Sequence, residues 1–137
     1  MGLLARQRQR AAQELAAEHQ AEGVLYAGVC GGSLTLRNFR CPGLRSSWDK
    51  STMRFTLVLT QSRMLLRAFY NRYRTPIDTA WTDPGLAQLR VSLDEKGKLR
   101  LEFPAEAFRS DSSGSVVATL KLADAAEAAE LIERLRS

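Results

Sequence analysis

Arginine is the residue type whose spacing in this chain most clearly suggests chemistry. In the stretch RFTLVLTQSRMLLRAF, Arg54, Arg63 and Arg67 are embedded among apolar residues. A guanidinium group binds a carboxylate or a phosphate through two parallel hydrogen bonds. The surrounding residues 37–74 contain nine basic residues and, as their only acidic one, Asp49. We predict that an anionic ligand or partner is bound by these nine basic residues: Arg37, Arg40, Arg45, Lys50, Arg54, Arg63, Arg67, Arg72 and Arg74.

The charge of the chain is distributed unevenly. The net charge is +5, but residues 1–75 hold twelve basic and four acidic residues, whereas residues 76–137 hold eight and eleven. A basic first half favours an acidic protein, an anionic lipid head group or, with Tyr70 and Tyr73 available for stacking, a nucleic acid. The acidic second half and the lack of a nucleic-acid-binding motif argue against a nucleic acid. An ordinary solvated face explains the same charges equally well.

Residues that would carry catalysis are few. His19 is the only histidine and lies in a charged helical stretch, and Cys30 fits a small, partly buried cysteine better than a reactive one. Glu102 and Glu106 form a possible carboxylate pair, but neighbouring arginines explain Glu102 as an ion-pair partner. The sequence has no phosphate-binding loop and no metal-ligand spacing, and the separation of Cys30 from Cys41 disfavours a disulfide bond. We therefore expect no enzyme, no cofactor and no metal site.

Two parts of the chain differ in their periodicity. Residues 1–23 are rich in Ala, Gln, Glu and Arg and end in a glycine, which predicts an N-terminal helix. The apolar face of this helix is weak, so we expect it to pack loosely on the domain or on a partner. Residues 24–137 are predicted to form one domain, because strand-like alternation begins there and the length suits a single core.

The first part of this domain is predicted to be a hairpin followed by a long loop. Gly31-Gly32 supplies the backbone freedom that a tight turn needs, and the pairing across it places Leu25 on the core face. Residues 40–53 are polar and are predicted to be a loop.

A second hairpin is predicted around the arginine-rich stretch. A turn at Gln61-Ser62 makes Thr60 face Arg63 and places the three arginines on the face opposite the core. That face also carries large apolar residues, which we expect to pack under the N-terminal helix or against a second subunit. These residues are Val58, Leu65 and Phe69.

The remaining elements are predicted from similar signals. Two prolines bound a short strand at Ile77–Trp81. A three-residue loop, Glu95-Lys96-Gly97, closes a third hairpin, and SVVATLKL forms the last strand. The final helix begins at Asp124 and carries an apolar stripe that suits the covering of a sheet.

Three segments together resemble a known family. FTLVLTQSRMLLRAF resembles the Leu-Thr-x-x-Arg-Leu hairpin of bacterial pleckstrin-homology-like (PH-like) and GRAM-like domains, and IDTAW resembles the strand after it. SGSVVATLKLADAAEAAELIERL resembles their last strand and capping helix. The resemblance covers about residues 24–136 and implies an α+β, mainly antiparallel fold: a two-sheet, partly open barrel of about seven strands, capped by a C-terminal amphipathic helix. It implies a binding or scaffolding module rather than an enzyme.

The same resemblance bears on the ligand. In lipid-binding members, basic residues of the first hairpin hold phosphorylated inositol head groups, whereas the corresponding turn here, CGGS, has none. We expect a binding module that docks an acidic protein or an anionic membrane surface through its basic strand face. The alternatives are a self-associating homodimer and, more weakly, a nucleic-acid-binding domain. No apolar run is long enough to span a bilayer, so we expect a cytoplasmic protein, with peripheral attachment at the inner membrane surface as an option.

Overall fold

A computed structural model describes residues 3–41, 44–68, 77–107 and 112–136. This part of the chain forms a mainly antiparallel, seven-stranded half-barrel with a C-terminal helix. Within it, no helix is long and apolar enough to cross a membrane. The helices and strands are α1 (Leu3–Glu18), β1 (Val24–Cys41), β2 (Leu44–Thr60), β3 (Arg63–Ala68), β4 (Ile77–Ala80), β5 (Arg90–Leu93), β6 (Leu99–Pro104), β7 (Ser113–Lys121) and α2 (Ala125–Arg136).

The strands form one sheet in the order β4-β3-β2-β1-β7-β6-β5. Strand β1 lies at its centre and pairs with β2 along most of its length and with β7 between residues 31 and 40. Strands β4 and β5 are the two ends of this order. Because β1 contacts both β2 and β7, it brings residues from distant parts of the sequence side by side.

The predicted first hairpin is wrong, because β1 continues through Gly31-Gly32. The carbonyl oxygen of Thr119 in β7 occupies the space that a Cβ on Gly32 would need. This position therefore accommodates a closely approaching strand rather than a turn. With a two-residue turn at Gly31-Gly32, the residues before it would alternate the other way, with Leu25 facing the core. In the continuous strand, Tyr26 packs against the core, whereas Leu25 is 45% exposed.

The predicted loop over residues 40–53 is also wrong for most of its length. Strands β1 and β2 remain paired as far as Cys41 and Leu44, and the connecting Pro42-Gly43 lies outside the described residues. The polar composition suggested a loop. This part of β2, however, is held to β1 by main-chain hydrogen bonds, which do not require apolar side chains.

The second hairpin has the predicted register. Across the turn at Gln61-Ser62, Val58 pairs with Leu65 and Leu59 with Met64. Leu59 and Met64 belong to the main core, whereas Val58 and Leu65 belong to a separate small cluster on the other face. The prediction that this hairpin has two different faces is confirmed.

The third hairpin is confirmed as well. Leu93 pairs with Leu99, and the backbone N–H of Asp94 donates to the carbonyl oxygen of Lys98 at 2.9 Å. Gly97 has a φ of +78°, the left-handed conformation that this loop class requires. The predicted short strand after Pro76 and the predicted last strand are present as β4 and β7.

Helix α2 closes the core of the half-barrel. Its Ala128 and Ile132 are fully buried against the apolar side chains of the sheet, as its apolar stripe predicted. Arg136, in its last turn, donates to the carbonyl oxygens of Leu86 and Leu89. The helix is thus held at a defined position, and the opposite face of the sheet is left for other contacts.

Candidate binding surface

Helix α1 covers the middle of the sheet face opposite the core, which we call the outer face. Leu15 of α1 is 3% exposed and packs with Val58 and Leu65, which are fully buried, while Val24 lies beside them. The sequence left open whether this face packs under the N-terminal helix or against a second subunit. Val58 and Leu65 contact the helix of the same chain. Phe69 lies outside the described residues. On β2 and β3, the outer face carries Arg54, Thr56, Val58, Thr60, Arg63, Leu65 and Arg67.

Arg63 belongs to a polar cluster that joins the short 3-10 helix after α1, Gln20–Glu22, to the sheet. Its Nε donates to Glu22 at 2.8 Å, and its Nη1 donates to Asp78 of β4 at 3.0 Å. The same Glu22 carboxylate accepts a short hydrogen bond from Ser62, and its other oxygen lies 2.6 Å from Nδ1 of His19. Arg63 therefore acts here as a structural cation that connects three segments of the chain.

Backbone geometry positions Glu22 over the β2–β3 turn. Gly23 has a φ of +78° and its N–H donates to the carbonyl oxygen of Gln20, which ends the helical segment. The carbonyl oxygen of Gly23 then accepts from the N–H of Gln61 at 3.0 Å. Thr60 shapes the turn, since its Oγ1 accepts from the N–H groups of Ser62 and Arg63. The turn and the helix end are thus fixed to each other.

The cluster strongly favours the ionised form of Glu22. The pKa of Glu22 is lowered to about 2, mainly because the Ser62 hydroxyl donates to the carboxylate and, after that, because His19 and Arg63 contact it. Conversely, the hydrogen bond to Glu22 raises the pKa of the Arg63 guanidinium. The ion pair is therefore retained over the whole ordinary range of pH.

The arrangement of Ser62, His19 and Glu22 differs from that of a nucleophilic site. A nucleophilic hydroxyl is activated by a base that accepts its proton, usually an imidazole. Here Ser62 donates to one oxygen of Glu22, while His19 contacts the other oxygen, so the imidazole and the hydroxyl have no contact between them. What these three residues do, in this geometry, is fasten the end of α1 to the sheet.

The lowered pKa of Glu22 predicts a pH-dependent contribution to stability. As the pH falls below about 4.5, the unfolded chain protonates Glu22 first, because the folded chain holds the carboxylate ionised down to about 2. The free energy of unfolding contributed by Glu22 is therefore fully present above about pH 4.5 and is lost as the pH falls toward 2. Chemical denaturation of the parent and of Glu22→Gln measures it: the difference between them should shrink across this window.

A second variant tests whether the hydrogen bond from Ser62 is the main cause of the lowered pKa of Glu22. Ser62→Ala removes the largest contribution to the lowered pKa, so the pH-dependent loss of stability should be smaller and should end at a higher pH than in the parent chain. If the parent and Glu22→Gln curves stay parallel from pH 5 to pH 2, the carboxylate is not held in this way.

The other predicted binding residues fall into two groups. Arg54 and Arg67 are exposed on the outer face, whereas Arg37 and Arg40 are exposed farther along β1. With a rise of roughly 3.3 Å per residue, Arg37 lies about 20 Å along the strand from the position paired with Arg54. Arg37 is therefore well separated from Arg54 along the sheet, and the grouping of the nine residues into one surface stays a prediction.

Four of the nine predicted residues have no described side chain. Arg45 and Lys50 lie in β2, paired with Arg40 and Thr35, and only their backbone positions are described. Arg72 and Arg74 lie outside the described residues, so their assignment stays a prediction.

Lys121 was missed by sequence reasoning. It pairs with Gly31 of β1, which on its other side pairs with Arg54, so Lys121 lies in the same row of the sheet as that arginine. Lys121 belongs to the acidic half of the chain, and the signal that would have found it is the pairing of β1 with β7. That pairing is non-local and leaves no local pattern in the sequence.

Cys30 is buried in the middle of β1, on the core side, next to Gly31, which pairs with Arg54. Burial raises the pKa of its thiol to about 12, although nearby Arg54 acts in the opposite direction. The residue is a free cysteine and is 5% exposed. The turn predicted directly after it, at Gly31-Gly32, is absent, since β1 continues past it.

No protein-family model matches the chain, and no curated protein is similar to it in sequence. The chemistry of the surface must therefore be inferred from its own properties. Those properties are the exposure of the arginines, their sign of charge and the positions of the carboxylates around them.

Proposed function

We propose that this chain is a non-enzymatic, PH-like binding module that docks an acidic segment of a protein partner on its outer face. The observation that carries the proposal is that four arginines are exposed and form no ion pair with another described residue. Arg37, Arg40, Arg54 and Arg67 are exposed, and none forms an ion pair with another described residue, whereas Arg63 is paired twice. Exposed guanidinium groups without a carboxylate partner are available to bind one.

The order of elements supports the PH-like part of the proposal. The described chain has a half-barrel of seven antiparallel strands, a long first strand that pairs on both sides and a helix after the last strand. Of these features, the seven mainly antiparallel strands and the helix after the last strand are those that the family resemblance implies. Residues 1–23 then form an addition to the family domain, whose helix α1 covers part of the outer face.

The nature of the exposed residues favours a protein partner over a membrane. Peripheral attachment to a membrane usually combines basic residues with apolar side chains that enter the lipid. Of the described large apolar residues, Leu25 and Leu93 are exposed, and neither lies beside the exposed arginines. Leu25 is six positions along β1 from the residue that pairs with Arg54, and Leu93 is in the end strand β5. The arginines instead lie at exposed strand positions, where the carboxylates of an acidic segment can reach them.

A binding assay with charge-reversed variants tests the proposal. The full chain is titrated against a labelled glutamate-rich peptide, and the Kd is measured by fluorescence anisotropy at low salt and at about 0.15 M salt, where electrostatic contacts are screened. We expect binding that weakens with salt. Arg54→Glu combined with Arg67→Glu should weaken it by about tenfold or more, since each unit charge in contact contributes about 1 kcal/mol even in water.

The matched control reverses the same number of charges elsewhere. Arg6→Glu combined with Lys96→Glu changes two exposed residues on α1 and in the β5–β6 loop, and should leave the Kd unchanged. Circular dichroism of every variant checks the fold. Equal weakening by both pairs of substitutions would indicate a response to net charge alone and would contradict docking on the outer face. Binding to vesicles of phosphatidylcholine and phosphatidylserine, with no binding to the peptide, would contradict a protein partner.

A further inference from the structure

The side chain of Arg54 lies across Gly31 of the neighbouring strand. Gly31 pairs with Arg54 of β2 on one side and with Lys121 of β7 on the other, so these three residues form one row across the sheet. A Cβ on Gly31 would lie 2.6 Å from Nη1 and 3.5 Å from Cζ of Arg54. Because glycine leaves this space empty, the guanidinium group extends over β1 toward Lys121.

Arg67 continues this arrangement on the other side of Arg54. It pairs with Thr56, two residues after Arg54, and is therefore a diagonal neighbour of Arg54 at about 7–8 Å. We call Lys121, Arg54 and Arg67 the basic row. All three are exposed, and with strands about 4.8 Å apart the row spans about 14 Å across β7, β1, β2 and β3.

No residue of the basic row forms an ion pair with another described residue. Two carboxylates of the β5–β6 hairpin have partners of their own. Glu102 lies 3.5 Å from Arg100, and Asp94 accepts the backbone N–H groups of Lys96 and Lys98. Three like charges close together on one face repel one another, and an anion bound between them relieves this repulsion.

We propose that the basic row binds an extended acidic peptide whose carboxylates stand at every second position. In an extended chain, alternate side chains point to the same side about 6.6 Å apart, so three such carboxylates span about 13 Å. This length matches the basic row. Arg54 and Arg67 offer paired N–H donors that fit a carboxylate, and Lys121 adds a compact positive charge. The inference rests on the proposed function and names the site and the pattern that it recognises.

Two peptides of identical composition test the spacing. One carries three glutamates separated by single serines, and the other carries the three glutamates in succession. Their Kd values for the full chain are measured by fluorescence anisotropy at low salt. We expect the alternating peptide to bind about threefold more tightly or better, since a correctly placed exposed ion pair contributes up to about 1 kcal/mol.

Two variants test the residues of the site. Lys121→Glu should weaken binding of the alternating peptide by about tenfold, with Lys96→Glu as the control that reverses one exposed charge elsewhere. Gly31→Ala changes no charge, but its Cβ would displace the Arg54 guanidinium, so we expect about threefold weaker binding with the fold retained. Lys121→Gln serves as a milder substitution if Lys121→Glu lowers the melting temperature.

The outcomes separate this inference from the proposed function. One outcome is that both peptides bind equally, that Lys121→Glu and Gly31→Ala have no effect, and that Arg37→Glu combined with Arg40→Glu abolishes binding. In that case the basic row is not the site, but docking of an acidic partner stands. If neither peptide binds, while vesicles of phosphatidylcholine and phosphatidylserine or a single-stranded RNA do, both proposals are wrong. Preference for the alternating peptide that is lost in both variants supports the inference.

Discussion

Replacing Gly32 by alanine is expected to lower the free energy of unfolding by about 3 kcal/mol or more, the upper range for overpacking. The reason is a collision with main chain rather than with a side chain. The new Cβ would overlap the carbonyl oxygen of Thr119 and lie 3.2 Å from the ring of Phe55, which is itself fully buried. A backbone oxygen held in the β1–β7 ladder has no free rotation by which to move away, so the two strands must separate locally.

Gly31→Ala is the matched control for this prediction. Its Cβ would meet only the end of the exposed Arg54 side chain, which is free to rotate, so the change should be no larger than about 1 kcal/mol. Urea denaturation of both variants measures the difference. In a hairpin turn at Gly31-Gly32, both glycines would have positive φ and both substitutions would be similarly costly. Equal losses at the two positions would therefore contradict a continuous β1.

Leu15→Ala is expected to lower the free energy of unfolding by about 2–4 kcal/mol, the range for a buried leucine. Leu15 is the residue of α1 that packs with Val58 and Leu65, and these two residues have no exposed surface while the helix is in place. Loss of the leucine side chain leaves a cavity between the helix and the outer face. The remaining attachment is then the polar cluster around Glu22 at the end of the helical segment.

Limited proteolysis distinguishes loss of the helix contact from loss of the whole fold. Trypsin should cleave α1 at Arg6 and Arg10 faster in Leu15→Ala, because a helix that separates from the sheet becomes a substrate. Gln13→Ala, at an exposed position two residues before Leu15, serves as the control and should change stability by less than about 0.5 kcal/mol. Unchanged cleavage and unchanged stability in Leu15→Ala would contradict the packing of α1 on the outer face.

The parts of the fold that the sequence predicted correctly are local ones. The β2–β3 and β5–β6 hairpins join residues close in the chain, and in each the alternation of apolar residues allows one register. The Gly31-Gly32 prediction was wrong because a glycine pair is compatible both with a tight turn and with the close approach of another strand. Deciding between them requires the position of Thr119, which is distant in sequence.

In the candidate site, too, the local features were predicted and the long-range contacts were not. The three arginines of the second hairpin were correctly placed on the face opposite the core, since that follows from the local register. Pairing of Arg63 with Glu22 and Asp78 was not predicted, because it depends on how α1 crosses the β2–β3 turn. The neighbourhood of Lys121 and Arg54 depends on the pairing of β7 with β1. Long-range contacts of this kind have no signature in the charge pattern of either segment.

Mapping the contact site in solution tests the central claim most directly. Backbone amide resonances of the full, isotope-labelled chain are followed by NMR during titration with the alternating glutamate–serine peptide. We predict that the largest shifts occur at Gly31, Arg54, Arg67 and Lys121, with small shifts for α2 and for the β5–β6 loop. Shifts concentrated on α2 or on the β5 end of the sheet, with the four named amides unchanged, would contradict docking on the outer face.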